Sequence, residues 1–479
     1  MLPGPPSRSP LWLTLFLVML LACSSPLPEA TQPNVLFIYV DDLGWRDLGV
    51  MGSPYYETPN VDRLASQGLL FTHAYANAPN CAPSRASLLT GQYTPRHGIY
   101  TVGSAERGDV GLRKLVPVEN ETTLGLEFTT LAEALQEAGY RTGHIGKWHL
   151  GGAGHLPVDQ GFDWSIAGDQ AGTPASYFFP YRNQQRAIPD LEEGVEGEYL
   201  ADRLTDEAIR FLRQNREGPF FLYLSHYSVH TPIRAKPELI ERYREKTGSG
   251  GQDNPTYAAM VHSVDESVGR LLMTLDTLGL AETTVVFFYS DNGGFGPVTS
   301  MAPLRGSKGM LYEGGIREPL IVRWPGRVES GYVSETPVIG TDLYPTLLDI
   351  AGGSPPTNQT LDGVSLGPVL RGRGELESRA LFWHFPAYLE ADASVEGPWR
   401  TTPASAIRLG RYKLVHFFED RRTELYDLLA DPSESKDLSL EMVEKTLELR
   451  AMLESWWQDT GAFIPTEPNP LYDPSAGGS

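Results

Sequence analysis

Asn34-Val35-Leu36-Phe37-Ile38-Tyr39-Val40-Asp41-Asp42 is the stretch on which the fold turns. Residues 35–40 form a continuous apolar run rich in β-branched side chains, which predicts a buried strand that delivers two carboxylates at its end. The pattern recurs twice. Residues 220–224 lead to His226 and His230, and residues 285–289 lead to Asp291 and Asn292. Helical patterns lie between these runs. One is Leu131, Ala134, Leu135 and Ala138, with Thr130 and Glu133 as a capping box and Gly139 as a stop. Others are Leu204, Ala208, Phe211 and Leu212, then Val264, Val268, Leu271, Leu275 and Leu278. Strand and helix alternate, so the fold class is α/β, with a sheet covered on both faces. In such sheets ligands gather at the carboxyl ends of strands, where these polar residues fall.

Beyond about residue 374 the texture changes to short strand-like pieces at 381–385, 405–409, 412–418 and 424–428. A last helix follows, with Met442, Leu449, Leu453 and Trp456 on one face. This reads as a smaller α+β domain over 375–464 after a catalytic domain over 34–374, with a Pro- and Gly-rich tail, 465–479, expected to be disordered. At the other end, an apolar run at 11–22 follows Arg8 and stops at Cys23. Twelve apolar-dominated residues are too few for a permanent span and suit a cleaved signal over 1–22. Cys23 then resembles a bacterial lipoprotein anchor, followed by a linker to residue 33; a plain secretory signal is the alternative. Both place the protein outside the cytoplasm, periplasmic, lipid-anchored at a membrane or secreted. A net charge of −21 disfavours sequence-independent nucleic-acid binding, so an anionic substrate must meet a local basic pocket.

The chain has two cysteines. The second, Cys81, opens Cys81-Ala82-Pro83-Ser84-Arg85, and Pro83 suits a first helical turn, which puts Cys81 and Arg85 on one face. Asp41, Asp42, Asp291 and Asn292 are hard oxygen donors of the kind Ca²⁺ or Mg²⁺ prefers, while Cys and His pairs at zinc-like spacing are absent from the sequence. Lys147 and His149 flank Trp148 and would point the same way in an extended segment, with Trp148 in the core. His226 reads as packing. Lys308 lies in a Gly-rich loop before Tyr312-Glu313-Gly314-Gly315-Ile316-Arg317-Glu318-Pro319.

These stretches, with Thr58-Pro59-Asn60, Thr90-Gly91 and the segment around Arg96 to Gly98, resemble the type I sulfatases over residues 34–326, and more weakly beyond. The resemblance implies an alkaline phosphatase-like fold: a mixed, mostly parallel sheet flanked by helices, with an antiparallel sheet in the smaller C-terminal part. It implies that a formylglycine-generating enzyme converts Cys81 to formylglycine (3-oxoalanine). Asp41, Asp42, Asp291, Asn292 and the modified Cys81 would then hold Ca²⁺, or Mg²⁺. The hydrated aldehyde would attack a sulfate ester in line, while Arg85, Lys147 and Lys308 neutralise the sulfuryl oxygens. His230, with Lys308, would protonate the departing alcohol, and His149 would take the proton of the second hydroxyl so that sulfate leaves.

Trp45, Arg46 and Gln92 depart from the family pattern and put the pocket rim, hence substrate choice, in question. His384, with Tyr388, Arg408 and Lys413, is the sequence's candidate for contact with a sulfated sugar, a galactose or N-acetylgalactosamine sulfate; an aryl sulfate is the other substrate class. The alternatives are a phosphodiesterase or phosphonate monoester hydrolase of the same superfamily, and an inactive glycan-binding lipoprotein.

Overall fold

The computed structural model describes residues 1–4, 32–372 and 374–475. The signal region beyond residue 4 and Cys23 lie outside the described residues. Nine strands make one sheet: β1 (Asn34–Val40), β2 (Leu69–Tyr75), β3 (Arg141–Gly146), β4 (Trp164–Ile166), β5 (Phe220–Ser225), β6 (Thr284–Ser290), β7 (Arg317–Arg323), β8 (Tyr332–Ser334) and β9 (Val338–Ile339). Their order is β4-β3-β5-β1-β6-β7-β2-β8, with β9 also on β2. Only β7 runs against its neighbours, β6 and β2. Every residue of β1, β5 and β6 is buried, as a central strand with helices on both faces requires.

Side chains along β1 alternate between two cores. Leu36, Ile38 and Val40 join the cluster that contains Leu204, Leu212, Val264 and Leu271 of the helices Leu200–Gln214 and Pro255–Thr277. Val35, Phe37 and Tyr39 join the opposite cluster, with Leu88, Leu131, Leu135 and Leu347 of Cys81–Thr90, Leu131–Glu137 and Leu343–Ala351. The capping box forms as read. Thr130 Oγ1 accepts from Glu133 N at 3.2 Å, and Glu133 Oε2 accepts from Thr130 N at 2.7 Å.

The C-terminal layer holds β10 (Ala380–Phe385), β11 (Leu389–Glu390), β12 (Trp399–Thr401), β13 (Ala404–Leu409), β14 (Tyr412–Phe417) and β15 (Thr423–Asp427). β10-β13-β14-β15 is an antiparallel sheet, and β11 and β12 pair separately. The helix Val443–Thr460 packs on the four-stranded sheet through Leu449, Leu453, Trp456 and Trp457. That core also takes in Tyr75, Ile316 and Ile339 from the large sheet's side. The described residues from 33 onward form one compact unit.

Buried charge locks the layer in place. Lys413 Nζ is 3.0 Å from Glu313 Oε1 and 2.9 Å from Glu434 Oε1, and Glu313 Oε2 accepts from the Tyr75 hydroxyl at 2.6 Å. The tail expected to be disordered is held at least to Asp473, because its backbone finds partners in the loop at 111–116. Val116 N donates to Glu467 O, Asn469 N to Lys114 O and Asp473 N to Gly111 O, at 2.8–2.9 Å.

Removing the Lys413 charge leaves two carboxylates buried without their cation. Lys413→Met is expected to lower unfolding stability by about 3–5 kcal/mol, read from urea denaturation. A loss under about 1 kcal/mol would mean that the network contributes little beyond a surface pair.

Candidate active site

The carboxyl ends of β1, β3, β5 and β6 lie side by side, so the residues that follow them converge. Asp41 and Asp42 follow β1, Lys147 follows β3, His226 to His230 follow β5, and Asp291 and Asn292 follow β6. Asp42 has a left-handed backbone, φ 60°, and its N–H donates to Asp291 Oδ1 at 3.1 Å. Cys81 enters from the first residue of Cys81–Thr90, a helix buried on every side. Lys308 enters from a loop packed so closely that a Cβ on Gly315 would come 2.1 Å from Met310 O. Only glycine fits there.

Cys81 Sγ lies 3.5 Å from Asp41 Oδ1, 3.9 Å from Asp42 Oδ1 and 3.4 Å from Lys308 Nζ. It is a free thiol, 1% exposed. Asp41 takes Lys147 Nζ at 2.7 Å. Asp42 takes Lys308 Nζ at 2.6 and 2.7 Å and the Asn292 amide at 2.8 Å, with His230 Nε2 at 3.6 Å. Burial raises the Asp41 pKa well above the carboxylate range even against Lys147. Burial acts on Asp42 too, but Lys308, His230 and Lys147 outweigh it and hold that carboxyl below its ordinary value.

Four hard oxygen donors crowd here, burial disfavours the charged form of Asp41, and Asn292 Oδ1 is buried with no hydrogen-bond partner among the described residues. Atoms of Asp41, Asp42, Cys81 and His230 all fall within 4.8 Å of one another. The donor chemistry fits a hard divalent cation held by Asp41, Asp42, Asp291 and Asn292.

A cavity of about 270 Å³ opens over this cluster, lined by Asp42, Cys81, His149, His230 and Lys308 among others. Lys308 keeps its proton, because Asp42, then Cys81 and Asp41, raise its pKa against the effect of burial. Burial, reinforced by Lys147 and Arg85, lowers the His149 pKa well below its ordinary value. Its imidazole is therefore neutral at neutral pH, and its Nδ1 has no partner among the described residues. Residues 147–149 are not the simple extended segment expected. His149 has φ 65°, while Trp148 is buried as read and donates to His155 O at 2.8 Å.

Arg85 and Lys147 lie behind the residues that line the cavity. Arg85 is 1% exposed, bonds Asp291 Oδ2 through Nε at 2.9 Å and Nη2 at 2.8 Å, and lies 5.0 Å over the Tyr39 ring. Both cations balance buried carboxylates.

His384 is likewise not at the cavity. Its Nδ1 is 2.6 Å from Ser405 Oγ and its Nε2 3.0 Å from Phe463 O, so both nitrogens are taken up inside the C-terminal core. Arg408 bonds the Tyr75 hydroxyl and Gly410 O, Lys413 serves the buried glutamates, and Tyr388 donates to Glu419. Trp45, Arg46 and Gln92 also bond backbone carbonyls away from the cavity. His226 packs against Ser267 at 3.0 Å as read. The basic residues that sequence reasoning missed are Arg107 and Arg400, both on the cavity wall.

The sheet order, the buried oxygen donors and the nucleophile-bearing helix define the alkaline phosphatase-like class of hydrolases. Residues 33–354 match the sulfatase family model, and 307–458 match the C-terminal model of N-sulphoglucosamine sulphohydrolase. The chain is 34% identical to a sulfatase of Formosa agariphila, over 92% of each chain. It is 36% identical to N-acetylgalactosamine-6-sulfatase of Homo sapiens, over 76% of this chain and 69% of that one. A crystal structure solved in complex with k-i-k-neocarrahexaose superposes with a TM-score of 0.74 at 29% identity, over 91% of this chain and 95% of that one. The chain belongs to the sulfatase family, and its activity is that of a sulfuric ester hydrolase.

His384→Ala removes the imidazole from Phe463 O and leaves Ser405 Oγ with Trp457 Nε1 alone, and is expected to cost about 1–3 kcal/mol of stability. The folded fraction should retain kcat/KM within about twofold, as for a residue outside the site. A selective rise in KM would restore His384 to the substrate pocket.

Proposed function

We propose that this chain hydrolyses sulfate esters on a carbohydrate, with formylglycine made from Cys81 as nucleophile and Ca²⁺ as cofactor. The observation that carries the reading is the seat of Cys81, its Sγ within 4 Å of Asp41, Asp42 and Lys308 on the floor of the cavity. A sugar substrate is supported by what the relatives named above act on or bind. Hydration of the aldehyde supplies two hydroxyls, one to take up the sulfuryl group and one to release it. Ca²⁺ on Asp41, Asp42, Asp291 and Asn292, with Mg²⁺ as the alternative, supplies fixed positive charge beside the reacting oxygens.

The residues divide the proton work. Lys308 is charged and sets its ammonium over Cys81. His230 donates through Nδ1 to Thr231 O at 2.8 Å, which leaves Nε2 as the nitrogen that serves the departing alcohol. His149 is neutral and accepts the proton whose removal frees sulfate. Arg85 and Lys147 are positioning residues here. They hold Asp291 and Asp41 in place through buried ion pairs. The same reading puts the chain outside the cytoplasm, directed there by residues 1–22 and lipidated at Cys23. Among the described residues no helix is long and apolar enough to cross a membrane.

Mass spectrometry of the Cys81 peptide, from a host that carries the modifying enzyme, should show the aldehyde or its hydrate. Unmodified cysteine in fully active protein would overturn the assignment. Cys81→Ala should lower kcat by about 10³-fold or more. Activity on an aryl sulfate should exceed that on phosphodiester and phosphonate analogues, and the reverse order would favour the phosphodiesterase alternative. Asn292→Ala should weaken Ca²⁺ binding at least about tenfold by calorimetry. An unaltered affinity would remove Asn292 from the donor set.

A further inference from the structure

Two arginines stand on the cavity wall apart from the cluster around Cys81. Arg107 belongs to an irregular loop, and Arg400 to β12. One short segment grips both. Arg107 Nε is 3.0 Å from Glu390 Oε2, and the other oxygen of Glu390 accepts from Gly108 N at 3.1 Å. Arg400 Nε is 3.3 Å from Asp392 Oδ2, and its Nη1 donates to Lys308 O at 3.2 Å.

Glycines let the pieces meet. A Cβ on Gly108 would come 2.4 Å from the Trp399 ring, and one on Gly309 would come 3.0 Å from Arg400 Cδ. Arg400 thus lies flush against the backbone that carries Lys308. The guanidiniums are held in place by their own contacts and stand at the edge of the reacting centre.

Each guanidinium is paired with one carboxylate, Arg107 with Glu390 and Arg400 with Asp392, which leaves N–H donors over. Each guanidinium has five N–H donors, and one carboxylate takes at most two of them. Arg400 is 15% exposed at its side chain. Burial, followed by the charge of Arg107 after a partial offset from Asp392, lowers its pKa. Of the charged side chains on the cavity wall, Arg107, Lys308 and Arg400 are cationic. The acid there, Asp42, is already bonded to Lys308 and Asn292. An anion at the cavity wall that meets the N–H donors these carboxylates leave over gains charge-assisted hydrogen bonds from guanidiniums already held by their pairs.

We propose that Arg107 and Arg400 form a second anion subsite, so that the preferred substrate carries a further anionic group, sulfate or carboxylate, beside the sulfate that is removed. This rests on the sulfatase reading above and narrows its substrate class to polyanionic glycans. Arg107 and Arg400 are then specificity-determining residues. A planar, bidentate donor suits either anion.

The test compares monosulfated N-acetylgalactosamine with two dianionic sugars: the disulfated monosaccharide, and a monosulfated disaccharide that ends in a uronic acid. Wild-type enzyme should favour one dianionic sugar in kcat/KM by about tenfold or more, and the sugar favoured identifies the anion as sulfate or carboxylate. Arg107→Gln and Arg400→Gln should each remove most of that preference through KM, and Arg400→Lys should retain part of it. Equal losses on mono- and dianionic sugars, or no wild-type preference, would overturn the subsite.

A second arm needs no turnover. Calorimetric binding of the same sugars to Cys81→Ala protein should show the same preference, and the same loss when either arginine is replaced. Aryl sulfate hydrolysis by wild-type enzyme tests the sulfatase reading separately, so the two failures are distinguishable. A melting temperature for each variant confirms that it is folded.

Discussion

The pairing of Arg85 with Asp291 and of Lys147 with Asp41 underlies everything else at the centre of this molecule. All four side chains are at most 1% exposed. Charge in such a place is tolerated only when paired and hydrogen-bonded, and the loss of one partner costs several kcal/mol. The sheet makes the pairing possible, because strand order sets the ends of β1, β3 and β6 within side-chain reach. The pairing in turn fixes where Cys81 can sit. The site is therefore better described as a buried ionic lattice with one open face than as a pocket with charged walls.

The C-terminal layer works by the same rule at a second place. Lys413, Glu313, Glu434, Tyr75 and Arg408 tie the small sheet to the stretch just after the Lys308 loop. Residues that sequence reasoning assigned to substrate turn out to be the fasteners. What the layer contributes to the cavity is Arg400 and the turn that steadies it and Arg107. The layer reaches the cavity through its two-stranded β11–β12 pair, while its four-stranded sheet supplies the attachment.

The central strands were legible because burial on both faces leaves an uninterrupted apolar run, as at 35–40, 220–224 and 285–289. β3 was not read as a strand. Arg141-Thr142-Gly143-His144-Ile145-Gly146 has a single aliphatic residue, and its buried His144 packs on Tyr223, Phe162 and Trp148, contacts that no local pattern announces. β7 escaped because it begins Arg317-Glu318-Pro319, two charged residues and a proline ahead of its apolar run. The cluster around Cys81 was legible through motif resemblance, since its members follow strand ends. Arg107 and Arg400 lie in segments without periodicity, and their meeting depends on tertiary structure alone. A histidine on a strand looks the same in sequence whether it faces a ligand or its own core, so the hydrogen bonds of His384 to Ser405 and Phe463 were not legible.

β1 holds the first carboxylates of the chain, yet Val35 pairs on one side with Phe221 and on the other with Val285. During synthesis, the strand made earliest has neither neighbour until β5 is made and lacks the second until β6 follows. Contacts this remote in sequence close slowly and leave hydrophobic edges uncovered meanwhile. The cluster around Cys81 is complete only once β6 and the loop with Lys308 are in place. A nascent chain that lacks those elements has Arg85 without Asp291 and Asp42 without Lys308, and charges without their partners oppose burial.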